Sequence, residues 1–109
     1  MIKAVIYHNK DGKIKGFKVK GHAGFGTAGN DIVCAAVSAV VYTALGGLDE
    51  LAGFRNFVER DGYMECHVPD GLNEIESYIA DIILKTMVIG LRQIEADYSE
   101  YIQLRFKEV

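Results

Sequence analysis

The dipeptide Asp61-Gly62 constrains this chain more than any other pair of residues. It stands between segments 54–59 and 63–68, both rich in apolar and β-forming side chains. A two-residue Asp-Gly connection favours the tight turn whose twist matches that of a hairpin. Pro69-Asp70-Gly71 then closes the hairpin. An antiparallel pair is thereby set in the middle of a 109-residue chain. That length suffices for one core and not for a second, so residues 1–109 are read as a single domain.

The flanking segments supply what covers the hairpin. Residues 2–7 read as a first strand, with Ile2, Ala4 and Ile6 on one face and Lys3, Val5 and Tyr7 on the other. Asn9-Lys10-Asp11-Gly12 is turn chemistry. A second strand over 13–20 changes parity, since Ile14 is apolar at an even position and Phe17 and Val19 at odd ones. Gly16 stands at the change and predicts a β-bulge. With the bulge, Lys13, Lys15, Lys18 and Lys20 all face solvent, as an edge that discourages aggregation or as a basic strip for a partner.

A helix is expected from Ile32 towards Leu51, behind an N-cap at Asn30 or Asp31. Val33, Ala36, Val37, Val40, Val41, Ala44 and Leu45 leave it almost no polar face, the mark of a buried helix. Gly46-Gly47 or Gly53 ends it. In a second helix over 72–96, Leu72, Ile75, Ile79, Ile82, Ile83, Val88 or Ile89, Leu91 and Ile94 recur at helical spacing. Asp81 and Lys85 form an i, i+4 pair on its outer face. A last strand spans 101–109. The order ββαββαβ is that of an α+β domain, a mostly antiparallel sheet packed by two helices.

Composition narrows the function. A net charge of −3 gives no overall electrostatic case for nucleic acid, so no direct nucleic-acid partner is expected. No run approaches the ~20 apolar residues of a membrane span, and the N-terminus breaks into charge at once, unlike a signal peptide. Cys34 and Cys66 form no CxxC pair and no disulfide framework, which suits a reducing cytoplasm.

The chemistry concentrates in residues 21–38, GHAGFGTAGNDIVCAAVS. A thiol is a useful nucleophile only as thiolate, and its ordinary pKa near 8.5 leaves it mostly protonated at neutral pH. Cys34 falls in the first turn of the expected helix, where unpaired N–H groups favour negative charge and could hold an oxyanion. His22 ends the second strand, and the glycine-rich loop can fold its ring back onto the helix head. Asp31 either orients that ring or caps the helix. Ser38 lies one turn beyond Cys34 on the same face. The residues alone leave two readings open: a Cys–His dyad, or a buried inert thiol beside a surface histidine.

Gly21-His22-Ala23, then Gly29, Asp31 and Val33-Cys34-Ala35-Ala36-Val37-Ser38, resemble the ribosomal-processing cysteine protease family, Prp, and the element order resembles it over essentially the whole chain. The resemblance implies a His22–Cys34 dyad, and Gly21, Gly29, Asp31 and Ser38 are the candidate supporting or substrate-binding residues around it. It further implies a small cytoplasmic homodimer. Such an enzyme removes the N-terminal extension of a large-subunit ribosomal protein, after a hydrophobic sequence ending in an aromatic residue. No metal or cofactor is called for.

Rival readings come from the same residues. Gly24-Phe25-Gly26-Thr27-Ala28-Gly29 fits the G-x-G-x-x-G pattern of a nucleotide-binding loop, yet the next strand is a hairpin arm, so no parallel βαβ unit closes. His8, His22, Cys34, Cys66 and His67 show no paired metal-ligand spacing, and Cys66 and His67 point to opposite faces of a strand. A third reading is a non-enzymatic ribosome-associated binding module that uses the lysine strip and the loop.

Overall fold

The computed structural model describes every residue except Ala28. Its elements follow the expected order: β1 (Ile2–His8), β2 (Ile14–Lys20), α1 (Ile32–Ala52), β3 (Phe57–Arg60), β4 (Tyr63–His67), α2 (Glu74–Asp97) and β5 (Ile102–Glu108). The five strands form one sheet in the order β3-β4-β2-β1-β5. Three of its pairings are antiparallel, and β5 runs parallel to β1.

Alternation in the strands sorts the sheet into two faces. Ala4 and Ile6 pair with Val19 and Phe17, and Phe17 in turn with Cys66. These join Ile2, Met64 and Ile102 in a core completed by Val33, Val37, Val41 and Leu48 of α1 and Leu84, Met87 and Leu91 of α2. The expected bulge is present: Tyr7 pairs with Gly16 but His8 with Ile14, so Lys15 is the extra residue. Only part of the lysine strip faces open solvent. Lys13 is drawn to α2 by a hydrogen bond to Ser77 Oγ, while Lys18 and Lys20 lie on the face away from the core.

Asp31, not Asn30, caps α1, and the helix runs through Gly46 and Gly47 to a C-cap at Gly53. Gly47 is a packing residue rather than a stop, since a Cβ there would lie 3.3 Å from Ile83 Cδ1. Reciprocally, a Cβ at Gly90 of α2 would lie 3.1 Å from Val40 Cγ1. The two helices therefore approach closely through one glycine each.

Three expectations need correction. Although no membrane-length apolar run was expected, α1 has 21 residues and a hydropathy of 1.8, enough by length and composition to cross a membrane. In the fold, its buried stripe from Val33 to Ala52 packs into the core. Nor is α1 covered all round: Ile32, Tyr42 and Leu51 are exposed, because the sheet and α2 reach only one side of it. Along α2, Ile75, Ile82 and Ile89 also face outward, leaving Ala80, Leu84, Met87, Val88 and Leu91 as its core face. Asn73 and Glu76 close a capping box at the start of α2. Asp81 binds Lys85 at 2.7 Å as expected, and also accepts the Ile14 N–H at 2.9 Å, which ties α2 to the start of β2.

Candidate active site

The chain leaves β2 through Gly21, whose φ of 98° and position both require glycine. A Cβ there would lie 2.4 Å from the Met1 carbonyl oxygen, and its N–H donates to Gly62 O at 2.8 Å. That bond brings the next residue, His22, against the β3–β4 turn. The imidazole packs on Gly62, where a Cβ would be 2.8 Å from Nε2, and Nε2 lies 3.8 Å from an Asp61 carboxylate oxygen. The side chains of both His22 and Asp61 are largely exposed.

Cys34 sits half-buried in the first turn of α1, and its Sγ accepts the Ala23 N–H at 3.3 Å. The residue after the histidine thus touches the cysteine sulfur directly.

Asp31 resolves its two candidate roles in favour of the cap. One carboxylate oxygen accepts the N–H groups of Val33 and Cys34 at 3.0 Å each, and the other those of Phe25 and Gly26 at 2.9 and 3.2 Å. Burial raises the Asp31 carboxyl, but the N–H groups of Cys34, Gly26, Phe25 and Val33 outweigh it, and the net result lies below the ordinary carboxylate value. The acid that approaches His22 is Asp61.

Asp31 also corrects the expected oxyanion hole. The Val33 and Cys34 N–H groups are taken by its side chain, and that of Ala35 by its backbone carbonyl at 3.0 Å. The nucleotide-loop reading meets the same obstacle, because a carboxylate already occupies the N–H groups a phosphate would need. Moreover β4 separates β3 from β2, so no adjacent parallel pair follows the loop.

Gly21, His22, Cys34 and Ser38 line one open cleft of about 620 Å³. Its floor is apolar, formed by Ile2, Val19, Val37, Val41 and Met64, and Tyr42 and Glu59 hydrogen-bond to each other among its lining residues. The Glu59 carboxylate, more than partial burial, raises the Tyr42 hydroxyl above its ordinary value. Asp31 and Gly29 do not line this cleft. Gly29 belongs to the loop, whose expected span over 24–29 includes Ala28, outside the described residues.

The loop is anchored as well as glycine-rich. Phe25 meets Tyr101 and Tyr98 edge-on, with ring centroids 5.0 and 5.6 Å apart. Asp61 and Gly62 are the residues that sequence reasoning missed here. Asp61-Gly62 read only as a turn, and nothing local placed that turn beside His22, some forty residues earlier. Cys66 is a core thiol, 1% exposed, while His67 faces solvent on the opposite side of β4.

A reachable thiol at a helix head, with an imidazole on the same cleft, defines a thiol hydrolase on a two-layer α+β scaffold. The family of cysteine protease Prp matches residues 1–103, and this chain belongs to that family. It is 35% identical to the ribosomal processing cysteine protease Prp of Bacillus subtilis, over 95% of this chain and 96% of that one. To the Staphylococcus aureus protein of the same name it is 34% identical, over 98% of this chain and 100% of the relative. The crystal structure of S. aureus Prp with a covalently linked product peptide superposes with a TM-score of 0.88 at 34% identity, covering 98% of this chain and 100% of that one. Its complex with a substrate peptide gives 0.83 at 33% identity and the same coverage. The chain is accordingly a cysteine protease, which sets aside the non-enzymatic binding module.

Proposed function

We propose that this protease removes the N-terminal extension of a large-subunit ribosomal protein, with Cys34 as nucleophile and His22 as its proton partner. The observation that carries the reading is the placement of both side chains on one cleft, with the Ala23 N–H on the Cys34 sulfur. His22 takes the thiol proton while sulfur adds to the scissile carbonyl carbon. The C–N bond then breaks, and the leaving amine departs with the proton that His22 returns. A thioester remains. Water adds to it, losing a proton to His22, and the acid product and the free thiol are released.

Support for a ribosomal peptide as substrate comes from the relatives, which are named for ribosomal processing and include one with a covalently linked product peptide. The apolar floor beside Cys34 suits a hydrophobic sequence ending in an aromatic residue. Residues 24–29 close over the bound peptide. The enzyme works as a cytoplasmic homodimer. Two free cysteines fit a reducing compartment, and the exposed stripe of Ile75, Tyr78, Ile82 and Ile89 on α2 is the kind of face a second copy covers.

The test incubates native protein, Cys34→Ala and His22→Ala with the extended ribosomal protein and reads products by mass spectrometry. Cleavage at one bond by the native protein alone is expected. Cleavage that persists in Cys34→Ala would overturn the nucleophile. Inert native protein whose Cys34 still alkylates would overturn the substrate.

A further inference from the structure

The helices cover one face of the sheet and leave the other open. Cross-strand pairing assigns that open face to Lys3, Val5 and Tyr7 of β1, Gly16, Lys18 and Lys20 of β2, and their neighbours on β3, β4 and β5. None of these side chains except the hydrogen of Gly16 is buried.

Charge is sharply divided between the layers. The open face carries the cations Lys3, Lys18, Lys20, Arg60, Arg105 and Lys107 against a single strand carboxylate, Glu65. Glu65 is itself engaged by the Tyr63 hydroxyl and, at 2.6 Å, by His67 Nε2. Among the described residues, none of the six cations is in a salt bridge. The two helices hold the opposite balance, seven carboxylates to two cations. A net charge of −3 therefore conceals a cationic surface.

Aromatic rings stand among these cations. Tyr7 and His67 stack across β2 with centroids 5.9 Å apart and planes within 16°. Gly16 lies between them in the register, and a Cβ there would fall 3.0 Å from His67 Nδ1 and 2.6 Å from the Cys66 carbonyl oxygen. At the other end of β4, where Arg60 and Tyr63 also line the active-site cleft, the Arg60 guanidinium lies 3.8 Å over the Tyr63 ring. Cations outside any salt bridge among the described residues, with interleaved rings on an uncovered sheet, suit single-stranded RNA, whose phosphates take the charges and whose unstacked bases take the π-faces.

We infer that the open sheet face docks a single-stranded RNA segment, on the opposite side of the sheet from the helices. RNA is chosen over DNA because the proposed substrate is ribosomal, and in that respect the inference rests on the function proposed above. Lys and Arg spaced along adjacent strands hold the backbone, and the His67–Tyr7 stack extends onto a base. Recognition is mainly electrostatic and weakens with salt.

The experiment measures fluorescence anisotropy of a labelled single-stranded RNA oligonucleotide with the full chain at low and moderate salt. Binding should fall log-linearly with salt, at roughly −0.7 per neutralised phosphate. Lys18→Glu/Arg105→Glu should weaken it by about tenfold or more and flatten the slope, while Lys85→Glu on α2 should leave it unchanged. His67→Ala should weaken RNA binding more than heparin binding, since only RNA offers bases. Absence of binding at low salt would overturn the inference. So would equal loss with Lys85→Glu, or preference for single-stranded DNA or anionic phosphatidylserine vesicles. Peptide cleavage by the same preparations separates the two readings. Cleavage without RNA binding removes only this inference, and RNA binding without cleavage removes only the ribosomal-protein substrate.

Discussion

The sulfur of Cys34 accepts the backbone N–H of Ala23 at 3.3 Å. Two segments eleven residues apart are joined at the reacting atom itself, and the joining residue is the immediate neighbour of His22. The contact uses backbone, so at position 23 only proline, which lacks the N–H, removes it outright.

Thiol labelling should therefore distinguish the two cysteines. Cys66 is buried, and burial pushes its thiol up to about 11, whereas Cys34 is open to the cleft. Iodoacetamide near neutral pH should modify one site in the native protein and both after denaturation, as read by peptide mass spectrometry. Peptidase activity should disappear in step with labelling of Cys34. Cys34→Ala should cost on the order of 10³-fold or more in kcat.

Gly62→Ala tests how His22 is held. The added methyl would lie 2.8 Å from Nε2, at a φ of 66° that disfavours any side chain. The ring must move, and a displacement near 1 Å can cost about 10²-fold in rate. A fall of that order in kcat is expected with little change in thermal midpoint beyond about 1 kcal/mol of backbone strain. Unaltered kinetics would show that the turn does not position the imidazole.

Acid should loosen the loop and helix head together. The folded Asp31 carboxyl lies below its ordinary value of 3.8, so over that window the unfolded chain binds a proton that the folded chain does not. Its stabilising contribution is complete above about pH 4 and is lost as pH falls through the folded value. Denaturation midpoints measured at descending pH should fall more steeply for the native protein than for Asp31→Asn. Parallel curves would remove the carboxylate from the account.

Phe25→Ala should release the loop from Tyr98 and Tyr101. Such aromatic contacts contribute about 0.5–1.5 kcal/mol each at most, and Phe25 is 42% exposed, so global stability should change little. Faster hydrogen exchange at Phe25 and Gly26 and a raised KM are expected.

Light scattering should find about twice the 12.0 kDa chain mass, and Ile75→Asp/Ile82→Asp should halve it. A native monomer at working concentration would overturn the dimer.

Much of this fold is legible in the residues, and the misses share a cause. The parity change at Gly16 located a bulge and Asp61-Gly62 located a hairpin, because both are local backbone chemistry. Gly46-Gly47 suggested a helix end, but Gly47 answers to Ile83 on another element, which no local pattern reveals. Periodicity identified α2 yet placed Ile75 and Ile82 inward and left Val88 and Ile89 as alternatives, since it counts apolar residues without telling which face the sheet will cover. At the site, Cys34 and His22 were legible as residue types, whereas the approach of Asp61 and Gly62 exists only after β3 and β4 have paired beside β2.

The reciprocal glycines of the helix pair bear on the active site from a distance. Ile83 fills the hollow at Gly47 and Val40 fills that at Gly90, so neither helix can slide along the other or roll without losing a fit. Gly47 lies about 20 Å along α1 from Cys34. The height at which the reactive sulfur meets the loop is thus indexed by a latch at the other end of its helix, and a bulkier residue at position 47 would mis-set the sulfur without touching it.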